Sequence, residues 1–274
     1  MADSSPVPFD PQTRPDEPSP SGYPSWVNEL GATESDGDSR GAASSAVAGD
    51  LPEPDGLIFD LDGTLVDTVE ARIEAWLLTF EEVGFAVDRN HLAGLIGADG
   101  KRLAVEVAEV GGRRLSEDRA EAIDRRAGER FDEINLEPRP LPGSVSLLRA
   151  LASSDLPWAI ATSSRAAQVT LSVGALGLGP DAHIVDGSSV TQAKPAPDLL
   201  LHAAERLGVS SRRCWYVGDA TWDMRAARAA PMVAIGVPTG AASAATLVAA
   251  GAHIVLPSLS ELHRELERRG RLAG

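Results

Sequence analysis

The sequence predicts an α/β protein: a doubly wound parallel sheet with helices on both faces, interrupted early by an all-helical insert. Three observations predict it. From residue 144 onward, short apolar runs alternate with helical patterns, and strands that alternate with helices join by right-handed crossovers into a parallel sheet. No convincing strand lies between Val69 and Leu136. Acidic, basic and hydroxyl side chains follow directly after the apolar runs, which is where ligands bind in sheets of this kind.

In chain order, residues 1–54 are rich in Pro, Ser, Gly and Asp and show no hydrophobic period. Such a segment buries too little apolar surface to offset its chain entropy, so a disordered acidic tail is expected. The first strand, about 57–61, is an unbroken apolar run that stops at Asp60 and Asp62. Their i, i+2 spacing predicts that both carboxylates leave the strand on one side and share a crevice. Two carboxylates so placed repel one another unless a cation or a shared proton lies between them.

A helix is expected from Val69 to about Val83, with Ile73, Trp76, Leu77 and Phe80 on one face and Gly84 ending it. Further helices are expected at 91–96, 103–110 and 116–131, the last opened by Ser116 with Glu117 and Asp118. The run 138–143, with three prolines, reads as a stiff linker. Strands at 158–161, 183–185, 214–217, 232–237 and 253–256 then alternate with helices at 144–151, 165–176, 197–207, 223–229, 241–250 and 259–267. The resulting division is a tail at 1–54, a sheet domain made of 55–68 and 139–274, and a helical cap at 69–138.

The chain of 274 residues carries a net charge of −15, of which residues 1–55 hold −9. That balance argues against nucleic acid or an anionic membrane as the main partner. One cysteine, Cys214, excludes an internal disulfide and fits a reducing compartment. No apolar run is long enough to span a bilayer, and the acidic N-terminus lacks the pattern of a signal peptide, so a cytoplasmic protein is expected. A monomer is favoured over an oligomer. Of 25 basic residues only two are lysines, Lys101 and Lys194. Lysine is a compact point charge where arginine is a planar fork, so a cramped anion site can require it.

The chemistry-bearing positions sit at the ends of expected strands: Asp60 and Asp62; Thr162-Ser163-Ser164, hydroxyls opening a helix; Lys194; and Gly218-Asp219 through Asp223. Carboxylates and an ammonium around hydroxyls suit a phosphate together with Mg²⁺. A carboxylate can attack phosphorus to give an aspartyl-phosphate that water then cleaves. Blander readings stand beside these. Thr162 and Asp223 could cap helices, and Trp222 reads as packing. Cys214, His183, His202 and His253 read as structural.

The run Phe59-Asp60-Leu61-Asp62-Gly63-Thr64-Leu65-Val66-Asp67-Thr68 resembles the first motif of the haloacid dehalogenase-like hydrolase superfamily. Ala161-Thr162-Ser163-Ser164, the lysine of Lys194-Pro195-Ala196-Pro197-Asp198, and Gly218-Asp219 with Asp223 resemble its second, third and fourth motifs, in order. Together they cover roughly residues 55–265. The likeness is to the phosphoglycolate-phosphatase and β-phosphoglucomutase branch, whose Rossmann-like core carries a helical cap after the first motif. The resemblance implies that Asp60 is the nucleophile and a metal ligand. Asp62 would be the general acid/base, its backbone carbonyl also binding metal. Thr162 and the Ser163 N–H would bind phosphate, with Lys194 neutralising it. Asp219 would be the remaining direct Mg²⁺ ligand, supported by Asp223. Loops of this cap region touch the leaving group, so Lys101 would meet a second anionic group. The expected activity is Mg²⁺-dependent hydrolysis of a small phosphorylated metabolite. A sugar phosphomutase is the alternative, and Thr64 points towards hydrolysis because similar mutases tend to carry valine there. A catalytically idle phosphate-binding protein is the remaining reading, while dehalogenation needs neither Asp62 nor the metal carboxylates.

Overall fold

The computed structural model describes residues 51–179 and 182–273. The first strand, β1 (Gly56–Phe59), leads to a two-residue strand β2 (Val66–Asp67) and then to four helices: α1 (Val69–Glu82), α2 (Arg89–Leu95), α3 (Gly100–Val110) and α4 (Glu117–Ile134). The chain returns through β3 (Arg139–Pro140) and α5 (Ser144–Ala152) to β4 (Trp158–Ala161), α6 (Ala166–Ala175) and β5 (Ile184–Val185). Next come α7 (Asp198–Leu207), β6 (Cys214–Gly218), α8 (Thr221–Ala229), β7 (Val233–Gly236), α9 (Ala244–Ala249), β8 (Ile254–Val255) and α10 (Leu259–Arg268).

Six strands form one parallel sheet in the order β5-β4-β1-β6-β7-β8, with β1 central. Leu57 pairs with Trp158 on one side and Trp215 on the other, so every strand of the sheet presents its carboxyl end to the same edge. Alternate residues of a strand face opposite layers, and the two cores follow that alternation. Leu57 and Phe59 pack with Trp215, Val217, Leu147 and Leu262 on one face. Ile58 and Tyr216 pack with Leu199, Leu200 and Met224 on the other. A third cluster joins Ile73, Trp76 and Phe80 to Leu92, Leu103, Val107 and Ile123 within the helical insert, and takes in Ala220 and Trp222 from the start of α8. Trp222 also donates its indole N–H to the Gly94 carbonyl at 3.1 Å, which ties the insert to the sheet domain.

The fold is the expected one, with local corrections. The linker at 138–143 is partly strand: Arg139 and Pro140 pair antiparallel with Asp67 and Val66 across the two crossings into the insert. Two-residue strands show no period, and Pro140 cannot donate to a ladder, so the sequence hides this pair. The expected tail also extends too far. Residues 1–50 lie outside the described residues, but Leu51 packs against the core. The Pro52 carbonyl accepts from the Trp215 indole at 2.9 Å, and Glu53 pairs with Arg269 at 2.8 Å. A buried indole N–H needs an acceptor, and this short segment supplies it.

Candidate active site

The first strand ends at Phe59, so Asp60 and Asp62 lie beyond it on a loop, and strand alternation does not govern them. Gly63 sits at φ 83°, in the left-handed region, and a Cβ there would overlap the Asp219 carboxylate. Glycine is what lets this turn close against the loop after β6. Both carboxylates line one cavity of about 280 Å³, as expected, but each has its own cation.

Asp60 is 3% exposed, and the Lys194 ammonium donates to its Oδ1 at 2.5 Å. The same ammonium donates to Asp223 Oδ1 at 2.8 Å and to the Tyr216 hydroxyl at 3.3 Å. Burial pushes the Asp60 carboxyl up to about 7 against the pull of Lys194, with Asp223 adding to the rise. Burial also works against charge on Lys194, but Asp223 and Asp60 outweigh it and hold the ammonium above its ordinary range.

Asp62 accepts from Ser164 Oγ at 2.5 Å, Thr68 Oγ1 at 2.6 Å and an Arg72 guanidinium nitrogen at 3.0 Å. Burial would raise its pKa, yet Arg72, Ser164 and Thr68 more than offset that and hold it below the usual carboxylate range. The two acids therefore diverge in environment rather than sharing one cation, a split expected of groups with different protonation tasks.

Asp219 is 3% exposed and accepts from Thr64 Oγ1 at 2.7 Å. Burial, then Asp223 and Asp60, push its carboxyl well above the ordinary range. Asp60, Asp219 and Asp223 each offer an oxygen within 4.8 Å of the others, and all three are buried. Three buried carboxylates against one ammonium leave negative charge that is costly without a further cation. A divalent, oxygen-preferring ion fits this donor set, and Mg²⁺ commonly binds through few carboxylates with water and phosphate.

Two further expectations are corrected in detail. The hydroxyls at 162–164 do not open a helix, because α6 begins at Ala166 with Arg165 as its N-cap. Thr162 Oγ1 instead accepts from the Ser164 N–H at 3.1 Å, a local turn that competes with helix. Thr162 and Ser163 nonetheless line the cavity. Asp223 does not cap as the residue before α8. It sits in the helix's first turn, where it accepts from the Ala220 N–H at 2.9 Å as well as from Lys194 and Tyr216. Lys101 lines the cavity on the insert side, 3.9 Å from Glu121 Oε2. Trp222 is packing, as expected, and burial pushes the Cys214 thiol up to about 11, consistent with an inert core residue.

Sequence reasoning missed four supports: Thr64, Thr68, Tyr216 and Arg72. The first two lie inside the first motif. Arg72 lies one helical turn beyond Thr68, and residues i and i+4 share a helix face, so that spacing was the available signal. Tyr216 lies on a buried strand whose sequence reads as plain core.

The family comparison agrees with this geometry. The model for haloacid dehalogenase-like hydrolases matches residues 57–237, and the chain belongs to that family, in its phosphoglycolate-phosphatase and β-phosphoglucomutase branch. It is similar to the fructose-1-phosphate phosphatase YqaB of Escherichia coli, at 33% identity over 66% of this chain and 95% of that protein. It is also similar to the β-phosphoglucomutase of Bacillus subtilis, at 31% identity over 77% and 92% of the two chains. Among solved structures, a hydrolase from Pseudomonas syringae superposes with a TM-score of 0.75 at 31% identity, covering 78% of this chain and 98% of that one.

Proposed function

We propose that the protein is a Mg²⁺-dependent phosphatase that hydrolyses a small phosphorylated metabolite through an aspartyl-phosphate on Asp60. The observation that carries this reading is the buried cluster of Asp60, Asp219, Asp223 and Lys194, of which Asp60 and Lys194 line a cavity together with Thr162 and Ser163. The likeness to a named phosphatase supports it.

In this reading Asp60 forms the new O–P bond while the bond from phosphorus to the leaving oxygen breaks. Asp62 delivers a proton to that oxygen, then takes one from the water that cleaves the aspartyl-phosphate. Held ionised by Arg72, Thr68 and Ser164, Asp62 is set for the second of these tasks and needs a proton before the first. Thr162 Oγ1 and the Ser163 N–H hold phosphoryl oxygens, and Lys194 offsets their charge beside the nucleophile. Asp60 and Asp219, with the Asp62 carbonyl, would hold the ion, and Asp223 would orient Lys194 and support the ion. The ion, when bound, supplies positive charge to the phosphoryl oxygens. The insert, 69–138, would act as the cap that covers the substrate.

A phosphomutase would use the same Asp60 chemistry with a substrate hydroxyl in place of water, and the likeness to β-phosphoglucomutase supports it. Thr64, expected to point towards hydrolysis, donates its hydroxyl to Asp219 and does not by itself separate the two. Incubation with Mg²⁺ and β-glucose 1-phosphate does. Release of inorganic phosphate is expected, whereas glucose 6-phosphate without net phosphate release would replace the phosphatase by the mutase.

A further inference from the structure

Resting on the phosphatase reading, we propose that the part of the cavity lined by Arg165, Lys101, Glu121 and Asp124 selects an uncharged, polyhydroxylated leaving group and disfavours one carrying a second phosphate or a carboxylate. The observation is a matched set of four charged side chains drawn from both halves of the protein. Arg165, from the sheet domain, donates to Asp124 of α4 at 2.5 Å and lies 2.8 Å from Glu121 of the same helix. Lys101 of α3 lies 3.9 Å from the other Glu121 oxygen. All four line the cavity.

Nearer the nucleophile, Arg72 pairs with Asp62, and Lys194 with Asp60 and Asp223. Among the described residues, every lysine or arginine that lines the cavity therefore lies within 3.9 Å of a carboxylate. The two clusters differ in their balance. Around Asp60 three carboxylates meet one ammonium, an excess that a divalent cation would neutralise, leaving the ion and Lys194 to face an anionic phosphoryl group. Among the described residues no second cluster of that kind occurs. In the cluster around Glu121 two cations meet two carboxylates, and Asp99, which also lines the cavity and acts on Asp124, adds a third.

An anion brought to that wall competes with Glu121 and Asp124 for Arg165 and Lys101 and meets their negative charge. The Asp124 side chain is only 18% exposed, so losing its partner leaves a largely buried carboxylate unpaired. Hydroxyls face no such conflict. Each donates to a carboxylate and accepts from an arginine, a lysine or the Gln168 amide.

The packing at this wall is close on both sides. A Cβ on Gly100, the first residue of α3, would overlap the Asp124 carboxylate. A Cβ on Gly128, in the middle of α4, would overlap the Gln168 amide of the sheet domain. Glycine weakens a helix interior, and at Gly128 it lets Gln168 reach the wall.

The test measures kcat/KM of the full chain with Mg²⁺ on p-nitrophenyl phosphate, sorbitol 6-phosphate, 2-phosphoglycolate and fructose 1,6-bisphosphate. Sorbitol 6-phosphate should exceed each of the last two by about tenfold or more, the scale set by one unpaired buried group. Any smaller preference, or a preference for an anionic end, overturns the proposal. Glu121→Gln removes the carboxylate that both Arg165 and Lys101 face, so it should raise the ratio of 2-phosphoglycolate to sorbitol 6-phosphate turnover; an unchanged or lower ratio also overturns it. Turnover of p-nitrophenyl phosphate without the predicted selectivity removes this inference alone. Failure on all four substrates removes the phosphatase reading and the inference with it.

Discussion

Replacing Asp60 with asparagine tests the electrostatics of the site without any substrate. Folding carries the Asp60 carboxyl from 3.8 to about 7, with burial the largest cause. At about 1.4 kcal/mol per unit, keeping it ionised in the metal-free fold costs roughly 4 kcal/mol. The folded state binds the proton more tightly than the unfolded chain does. This contribution to stability is therefore complete below pH 3.8 and is lost as pH rises through about 7. Between pH 5 and pH 8 the wild type should lose about 2–3 kcal/mol that Asp60→Asn does not lose. Urea unfolding in EDTA at the two pH values measures both proteins, and their difference cancels the titrations of groups that do not touch Asp60, leaving Asp60 and its coupled neighbours. Saturating Mg²⁺ should then restore the wild type at pH 8, since a ligand bound to the native state stabilises by mass action. A stability difference between the two proteins that is the same at pH 5 and pH 8 would refute the reasoning.

Other outcomes follow from the same contacts. Lys194→Met strands Asp60 and Asp223 in a buried site, so metal-free stability should fall by about 3–5 kcal/mol in urea unfolding, and turnover should vanish. Thr64→Val removes the 2.7 Å donor from Asp219, and calorimetry should find Mg²⁺ binding weaker by roughly 1–3 kcal/mol. Arg72→Met takes the guanidinium from Asp62, whose pKa it helps to lower. The pH–rate profile should then move to higher pH, and an unmoved profile would separate Asp62 from the chemistry.

The sheet was legible because its buried strands are unbroken apolar runs and its helices carry a clean apolar face. The strand ends were legible for the same reason, since charge begins where the run stops. What the sequence concealed was short-range or relational. The β2–β3 pair is two residues long on each side. Asp60 and Asp62 look like a pair needing one shared cation, yet Lys194, 134 residues away, serves the first, and Arg72 on α1 serves the second. Gly128 reads as a flaw in a helix until Gln168 is seen against it. Leu51 to Glu53 read as the end of a tail until the Trp215 indole shows why they dock.

The central claim is that Asp60 attacks phosphorus. A radiolabelled phosphate ester, mixed with the protein and Mg²⁺ and quenched in acid within one turnover, tests it directly. Label should remain on the peptide that contains Asp60 and be absent from the Asp60→Asn protein. Release of labelled phosphate at an undiminished rate by that variant, with no label on the wild-type peptide, would contradict the account.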